Sequence, residues 1–101
     1  MKIIPLQTVF EHGPDKVATV LFDGPRRKLI EITLRNDAAL SAHKAPEPIA
    51  IQCIAGQGTL AVGDESIALA PGVIVTLEAN EIHAVEAQPA LILLLTRFIA
   101  G

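Results

Sequence analysis

Residues 28–35 read Lys28-Leu29-Ile30-Glu31-Ile32-Thr33-Leu34-Arg35, and from Ile30 onward apolar and polar side chains alternate. In an extended chain this period of two places the apolar residues on one face and the polar residues on the other. Runs of the same kind recur at 17–22, 49–54, 59–62, 66–69, 73–77, 83–86 and 91–98. Eight short strands of this type predict an all-β fold.

Turn-forming residues separate these runs. Gly63-Asp64 lies between two of them and can supply the positive φ that a tight hairpin needs. We interpret Gly56-Gln57-Gly58 as another hairpin turn. The segment 36–48, which contains Pro46 and Pro48, is the least regular part of the chain. Since no long window has helical spacing, we expect residues 1–101 to form one antiparallel sandwich or barrel domain.

The composition argues against several functional classes. The chain has 101 residues, a net charge of −3, three Phe and neither Trp nor Tyr, which is a poor basis for binding nucleic acid. Its longest apolar run, residues 90–95, is far shorter than the about 20 residues of a membrane-spanning helix. The first residues do not resemble a signal peptide. We therefore expect a cytoplasmic protein that binds neither nucleic acid nor membranes.

Two of the three histidines lie at informative distances from glycines. Gly56 follows His43 by 13 residues, and His83 follows Gly72 by 11. These spacings resemble the two signature motifs of the small single-domain cupins. The first motif runs Gly, five residues, His-x-His, three or four residues, Glu, six residues, Gly; the second runs Gly, five residues, Pro-x-Gly, two residues, His, three residues, Asn. The resemblance covers about residues 41–87 and implies an antiparallel jelly-roll β-barrel, the double-stranded β-helix.

The resemblance also implies a metal site, of which this chain keeps only a part. In metal-bearing cupins two His and one Glu of the first motif and the His of the second hold the metal. His43 and His83 occupy two of these positions, whereas Ala45 and Ile49 replace the other two. The motifs are further altered at Asp37, Glu78, Asn80 and Ala87.

Glu47 is the candidate for a third ligand. In an unbroken strand it would share a face with His43, but Pro46 and Pro48 flank it, and a solvated loop residue is the alternative. No cofactor is certain. A divalent transition metal (Zn, Ni, Fe or Mn) held by His43, His83 and Glu47 is one hypothesis.

The alternation of side chains along the strands also predicts a ligand pocket. If His43 faces the interior of the barrel, the alternating positions Ile49, Ile51 and Cys53 face it too. On the last motif strand, His83 and Val85 share the inner face. An apolar cavity with two imidazoles at its mouth is typical of a small-molecule site, and an interior filled by side chains is the alternative.

Three hypotheses about function remain open. The first is a barrel that binds or senses a small molecule and carries out no chemistry. The second is a metal-dependent enzyme, an oxygenase or isomerase, that uses His43 and His83. The third is a structural or regulatory homodimer.

Residues 91–95 are apolar on both faces of a strand, so one face needs a cover. That cover is either the N-terminal segment 3–6 or a second subunit. Because cupins commonly pair, the resemblance favours a homodimer.

Overall fold

The computed structural model describes residues 1–100, which form seven strands and no helix. All strand pairs are antiparallel. The prediction of an all-β jelly-roll fold is therefore confirmed. The described part of the chain has no helix that could span a membrane. The strands are β1 (Lys16–Gly24), β2 (Arg27–Leu34), β3 (Ala39–His43), β4 (Ile49–Val62), β5 (Glu65–Leu69), β6 (Ile74–Leu77) and β7 (His83–Phe98).

Strands β4 and β7 are the longest and pair along most of their lengths, from Ile49 opposite Arg97 to Val62 opposite His83. The register slips between residues 53 and 55 and again between 56 and 58, and such bulges bend a strand. On one side of the bend, β6 flanks β4, while β2 and then β1 flank β7. On the other side, β5 flanks β4 and β3 flanks β7. The two long strands therefore belong to both halves of the barrel.

The structure joins runs that the sequence suggested were separate. The runs 49–54 and 59–62 both belong to β4, and the runs 83–86 and 91–98 both belong to β7. The interpretation of Gly56-Gln57-Gly58 as a hairpin turn is wrong, because these residues continue β4 opposite β7. Gly56 does have a positive φ of 82°, but here that conformation serves a bulge instead of a turn.

Other local predictions have mixed outcomes. Gly63-Asp64 does form a two-residue loop between the paired residues Val62 and Glu65, with φ of 57° at Gly63. Strand β3 was not predicted, because it lies in the segment that has the least regular pattern.

The hydrophobic core lies between the two halves of the barrel. Strands from both halves contribute to it, and Leu34, Leu60 and Leu91 are completely buried. Leu34 belongs to the alternating stretch 28–35. The apolar face predicted from that stretch is therefore the face that points into the core. The core comprises Leu34, Ile49, Ile51, Cys53, Leu60, Leu69, Leu77, Val85, Ala87, Leu91 and Leu93.

The outer face of β7 is covered in part within the same chain. Leu93 lines the interior, so Ile92 points to the outer face, yet Ile92 is 0% exposed. Glu31 of β2 lies on that outer face, and its carboxylate accepts a hydrogen bond of 3.0 Å from the backbone N–H of Gln7. The segment before β1 thus contacts the outer face of the sheet. It is one of the two covers that the sequence allowed.

The homodimer stays a prediction. Met1, Ile3 and Val9 of the N-terminal segment are exposed, as is Val20 of β1, so apolar surface remains for a second subunit. We expect light scattering after size exclusion at low micromolar concentration to give twice the chain mass of 10.7 kDa. A mass equal to that of one chain would contradict the prediction.

Gly56 and Gly72 offer a matched test of the bend. Both have a positive φ, so alanine is strained at either position, by about 1–2 kcal/mol. A Cβ at Gly56 would also collide with the carbonyl oxygen of Ala90 on β7, whereas a Cβ at Gly72 meets no atom within 4 Å. We expect Gly56→Ala to lower the free energy of unfolding by about 1–3 kcal/mol more than Gly72→Ala does. Chemical denaturation of both variants measures the difference, and equal losses would show that the bend tolerates a side chain.

Candidate functional site

His43 and His83 lie side by side where two strands of the barrel meet. His43 is the last residue of β3, His83 is the first residue of β7, and the two are directly paired across the ladder. Directly paired residues project from the same face of a sheet, and here the ring centroids are 4.3 Å apart. His83 also pairs with Val62 of β4 and is buried, whereas His43, at the end of its strand, is exposed. The fold thus brings together the two histidines that the sequence singled out.

Backbone carbonyls hold both imidazole rings in one tautomer. The Nδ1 of His43 lies 2.7 Å from the carbonyl oxygen of Ser41, and the Nδ1 of His83 lies 2.9 Å from that of Glu81. A carbonyl oxygen only accepts, so each Nδ1 carries the proton and donates it. In a neutral ring Nε2 is then an acceptor, which is also the arrangement seen when imidazole binds a metal. The site therefore offers two Nε2 acceptors.

The interior of the barrel next to these rings is nearly full. A cavity of about 20 Å³ lies there, which is enough for one water molecule and too little for an organic ligand. Aliphatic side chains from four strands form most of its wall, and both imidazoles border it. The lining residues are Ile32, Leu40, His43, Ile51, His83, Val85, Leu93 and Leu95.

A second, larger pocket borders the same two rings. Its volume is about 290 Å³, close to the lower end of the range for small-molecule sites, about 300–1,000 Å³. Two of its residues, Lys44 and Arg97, carry positive charge. We call it the outer pocket, and it is lined by Ile30, His43, Lys44, Ala45, Pro46, Ile49, His83, Leu95 and Arg97.

The residues predicted for the ligand pocket fall into three places. Ile51 and Val85 line the small inner cavity together with the imidazoles, while Ile49 lines the outer pocket. Cys53 lines neither of them and is 1% exposed, so its assignment to the pocket needs correction. Its thiol lies in the core, 3.7 Å from the carbonyl oxygen of Ala55, and burial raises the pKa of Cys53. The alternation that predicted its inward direction is correct, but the barrel is filled at that depth.

Glu47 is placed with a cation instead of with the imidazoles. Its carboxylate accepts hydrogen bonds from Arg97, which it contacts through Nε and one terminal nitrogen. Among residues 1–100, no three His, Cys, Asp or Glu side chains are placed to hold one metal ion. Since a tight site needs three or four protein ligands, the donor set of this chain does not fit a cupin-type metal. Glu47 does not complete the set because Arg97 already binds its carboxylate.

Lys44 and Arg97, which also line the outer pocket, were not among the site residues predicted from the sequence. For Arg97 a signal exists, because the period of two that places Leu93 and Leu95 inward continues to residue 97. Lys44 follows β3 in a loop between strands, where no period applies, and only its position next to His43 pointed to it.

Several solved structures with the same architecture are described as cupins. A cupin superfamily protein from Desulfitobacterium hafniense superposes with a TM-score of 0.83 at 15% identity, covering 91% of this chain and 84% of that one. An RmlC-like cupin protein from Desulfovibrio desulfuricans gives 0.78 at 18% identity, with coverages of 94% and 96%. A cupin 2 conserved barrel domain protein from Leptotrichia buccalis gives 0.80 at 24% identity, covering 90% of this chain and 44% of that one.

Sequence comparison adds nothing to these structural matches. No family model and no curated protein matches the sequence. Identities of 15–24% in the three structures establish architecture and not activity. The structural matches show that this chain has the fold of a small cupin-type barrel.

Proposed function

We propose that the protein binds a small molecule in the outer pocket, against His43 and His83. The observation that carries this proposal is the pair of imidazoles, each with Nδ1 bound to a backbone carbonyl and Nε2 left as an acceptor. Polar groups of fixed orientation beside apolar walls are the usual composition of a ligand site. The inner cavity is too small for a ligand, so the outer pocket is the binding position in this proposal.

A second candidate function is a metal-dependent enzyme. The carbonyl contacts of Nδ1 favour it, since metal-binding histidines are oriented in this way. The donor set argues against it, because the described residues bring two imidazoles and no third ligand to one place. Binding without a resident metal is therefore the proposal that we prefer.

His43 and His12 provide a matched pair of variants for the binding proposal. Both side chains are exposed, but only His43 lines the outer pocket. We expect fragments from a small-molecule library to shift the imidazole signals of His43 and His83 in NMR spectra of nitrogen-labelled protein. His43→Ala should weaken the best hit about tenfold, which is the loss of one strong hydrogen bond together with its packing. His12→Ala should leave the affinity unchanged.

Two results would contradict the binding proposal. One is a library in which no fragment shifts either imidazole. The other is a set of hits that bind equally well to His43→Ala. Unchanged backbone spectra of both variants would show that the fold is intact.

The metal hypothesis has its own test. We expect Zn²⁺ or Ni²⁺ added to the protein to bind weakly and to be removed by dialysis against a strong chelator, because two ligands do not make a tight site. Binding should weaken further on acidification, since imidazole must be unprotonated to bind a metal. Elemental analysis after dialysis measures retention. Stoichiometric metal that survives dialysis in the wild type and is absent from His43→Ala would support the enzyme instead.

A further inference from the structure

We infer that the ligand of the outer pocket is a small hydroxycarboxylic acid whose body is apolar. This inference rests on the proposed function and names the ligand class. Its elements are the charge at the pocket, the acceptors on the imidazoles and the aliphatic walls.

The charged side chains that line the outer pocket are both cations. Lys44 and Arg97 belong to the lining, and no carboxylate is among the described lining residues. Glu47 neutralises Arg97 through Nε and one terminal nitrogen, which leaves the donors of the other terminal nitrogen unused by that carboxylate. The groups at the pocket therefore sum to about one positive charge, that of Lys44. A monoanion complements this charge, and a planar carboxylate also matches the donors of a guanidinium.

The two imidazoles require a hydrogen-bond donor on the ligand. With Nδ1 donating to the carbonyl oxygens of Ser41 and Glu81, each ring in its neutral form presents only an acceptor at Nε2. A second carboxylate would find no donor there, whereas a hydroxyl group can donate to Nε2. One ligand with a carboxylate at Lys44 and a hydroxyl at the histidines satisfies both sets of groups.

The remaining walls limit the body of the ligand. Ile30, Ile49 and Leu95 are aliphatic, and Ala45 and Pro46 complete the apolar part of the lining. A volume of about 290 Å³ has room for a short branched chain. Together these walls favour a hydroxy acid that carries a small branched aliphatic group.

Three matched probes test the class. We would titrate 2-hydroxyisovalerate, isovalerate and 2-hydroxyisovaleramide into labelled protein and follow both imidazoles by NMR and the affinity by calorimetry. We expect the hydroxy acid to bind best. Isovalerate, which lacks the hydroxyl, should bind about 3- to 10-fold more weakly than the hydroxy acid. The uncharged amide should bind at least about 10-fold more weakly, because hydrogen bonds to charged groups are stronger than those between neutral groups.

Variants of the charged residues give a second readout. Lys44→Met should weaken binding of the hydroxy acid about tenfold and leave the affinity for the amide unchanged. Lys16 is an exposed lysine on β1 outside the pocket, so Lys16→Met should change neither affinity. Glu47→Gln should strengthen binding of the acid, since Arg97 then keeps its full charge. High salt should reduce the preference for the acid over the amide.

The outcomes separate this inference from the proposed function. An amide that binds as well as the acid, or an acid that is insensitive to Lys44→Met, would overturn the hydroxy-acid inference while the shifted imidazoles upheld a ligand site. If none of the three probes shifts an imidazole but library fragments do, the ligand class is wrong and the site stands. If the library also fails, the proposed function falls together with the inference.

Discussion

The continuous pairing of β4 with β7 is the constraint on which the rest of the barrel depends. Both strands belong to two half-sheets, so their ladder must bend, and the bend lies where Gly56 and Gly58 pass close to β7. A Cβ at either glycine would meet a carbonyl oxygen of β7, that of Ala90 or that of Glu86. The strands β2, β3, β5 and β6 each pair with one half of this ladder, and β1 joins through β2. The positions of the other strands therefore depend, directly or through β2, on the ladder between β4 and β7. That ladder in turn depends on the two glycines at its bend.

The filling of the interior leaves almost no room for a ligand between the two half-sheets. The space between the half-sheets is occupied by aliphatic side chains, each of which contributes about 1.5–3 kcal/mol when fully buried. A domain of 101 residues has limited surface to bury, so its interior serves stability first. What remains beside the imidazoles is about 20 Å³. In the proposed function, recognition therefore depends on the side chains around the outer pocket, which come from β2, β3, β4 and β7 and from the loop after β3.

One ion pair shapes both the chemistry and the wall of that pocket. Glu47 lies in the loop between β3 and β4, and Arg97 lies near the end of β7, so their contact ties the loop to the barrel. The same contact withdraws Glu47 from the imidazoles and leaves His43 and His83 without a third metal ligand. It also lowers the net charge at the pocket, so that Lys44 provides the uncompensated positive charge there. The separation of Glu47 from the imidazoles and the net charge of the pocket thus have a common structural cause.

The sequence by itself determined the features that depend on near neighbours. The alternation over 28–35 predicted strands, and Gly63-Asp64 predicted a turn. The pairing of His43 with His83 was implied by the resemblance of their spacings to the cupin motifs. The tertiary structure alone decided that residues 56–58 continue a strand, because a glycine with positive φ suits a bulge as well as a turn and only the partner strand distinguishes them. It also decided that Glu47 binds Arg97, 50 residues away, because a loop carboxylate pairs with whichever cation the fold brings to it. The alternation of apolar and polar residues determines to which face of a strand each side chain points. Contacts across the barrel depend instead on how all the strands pack.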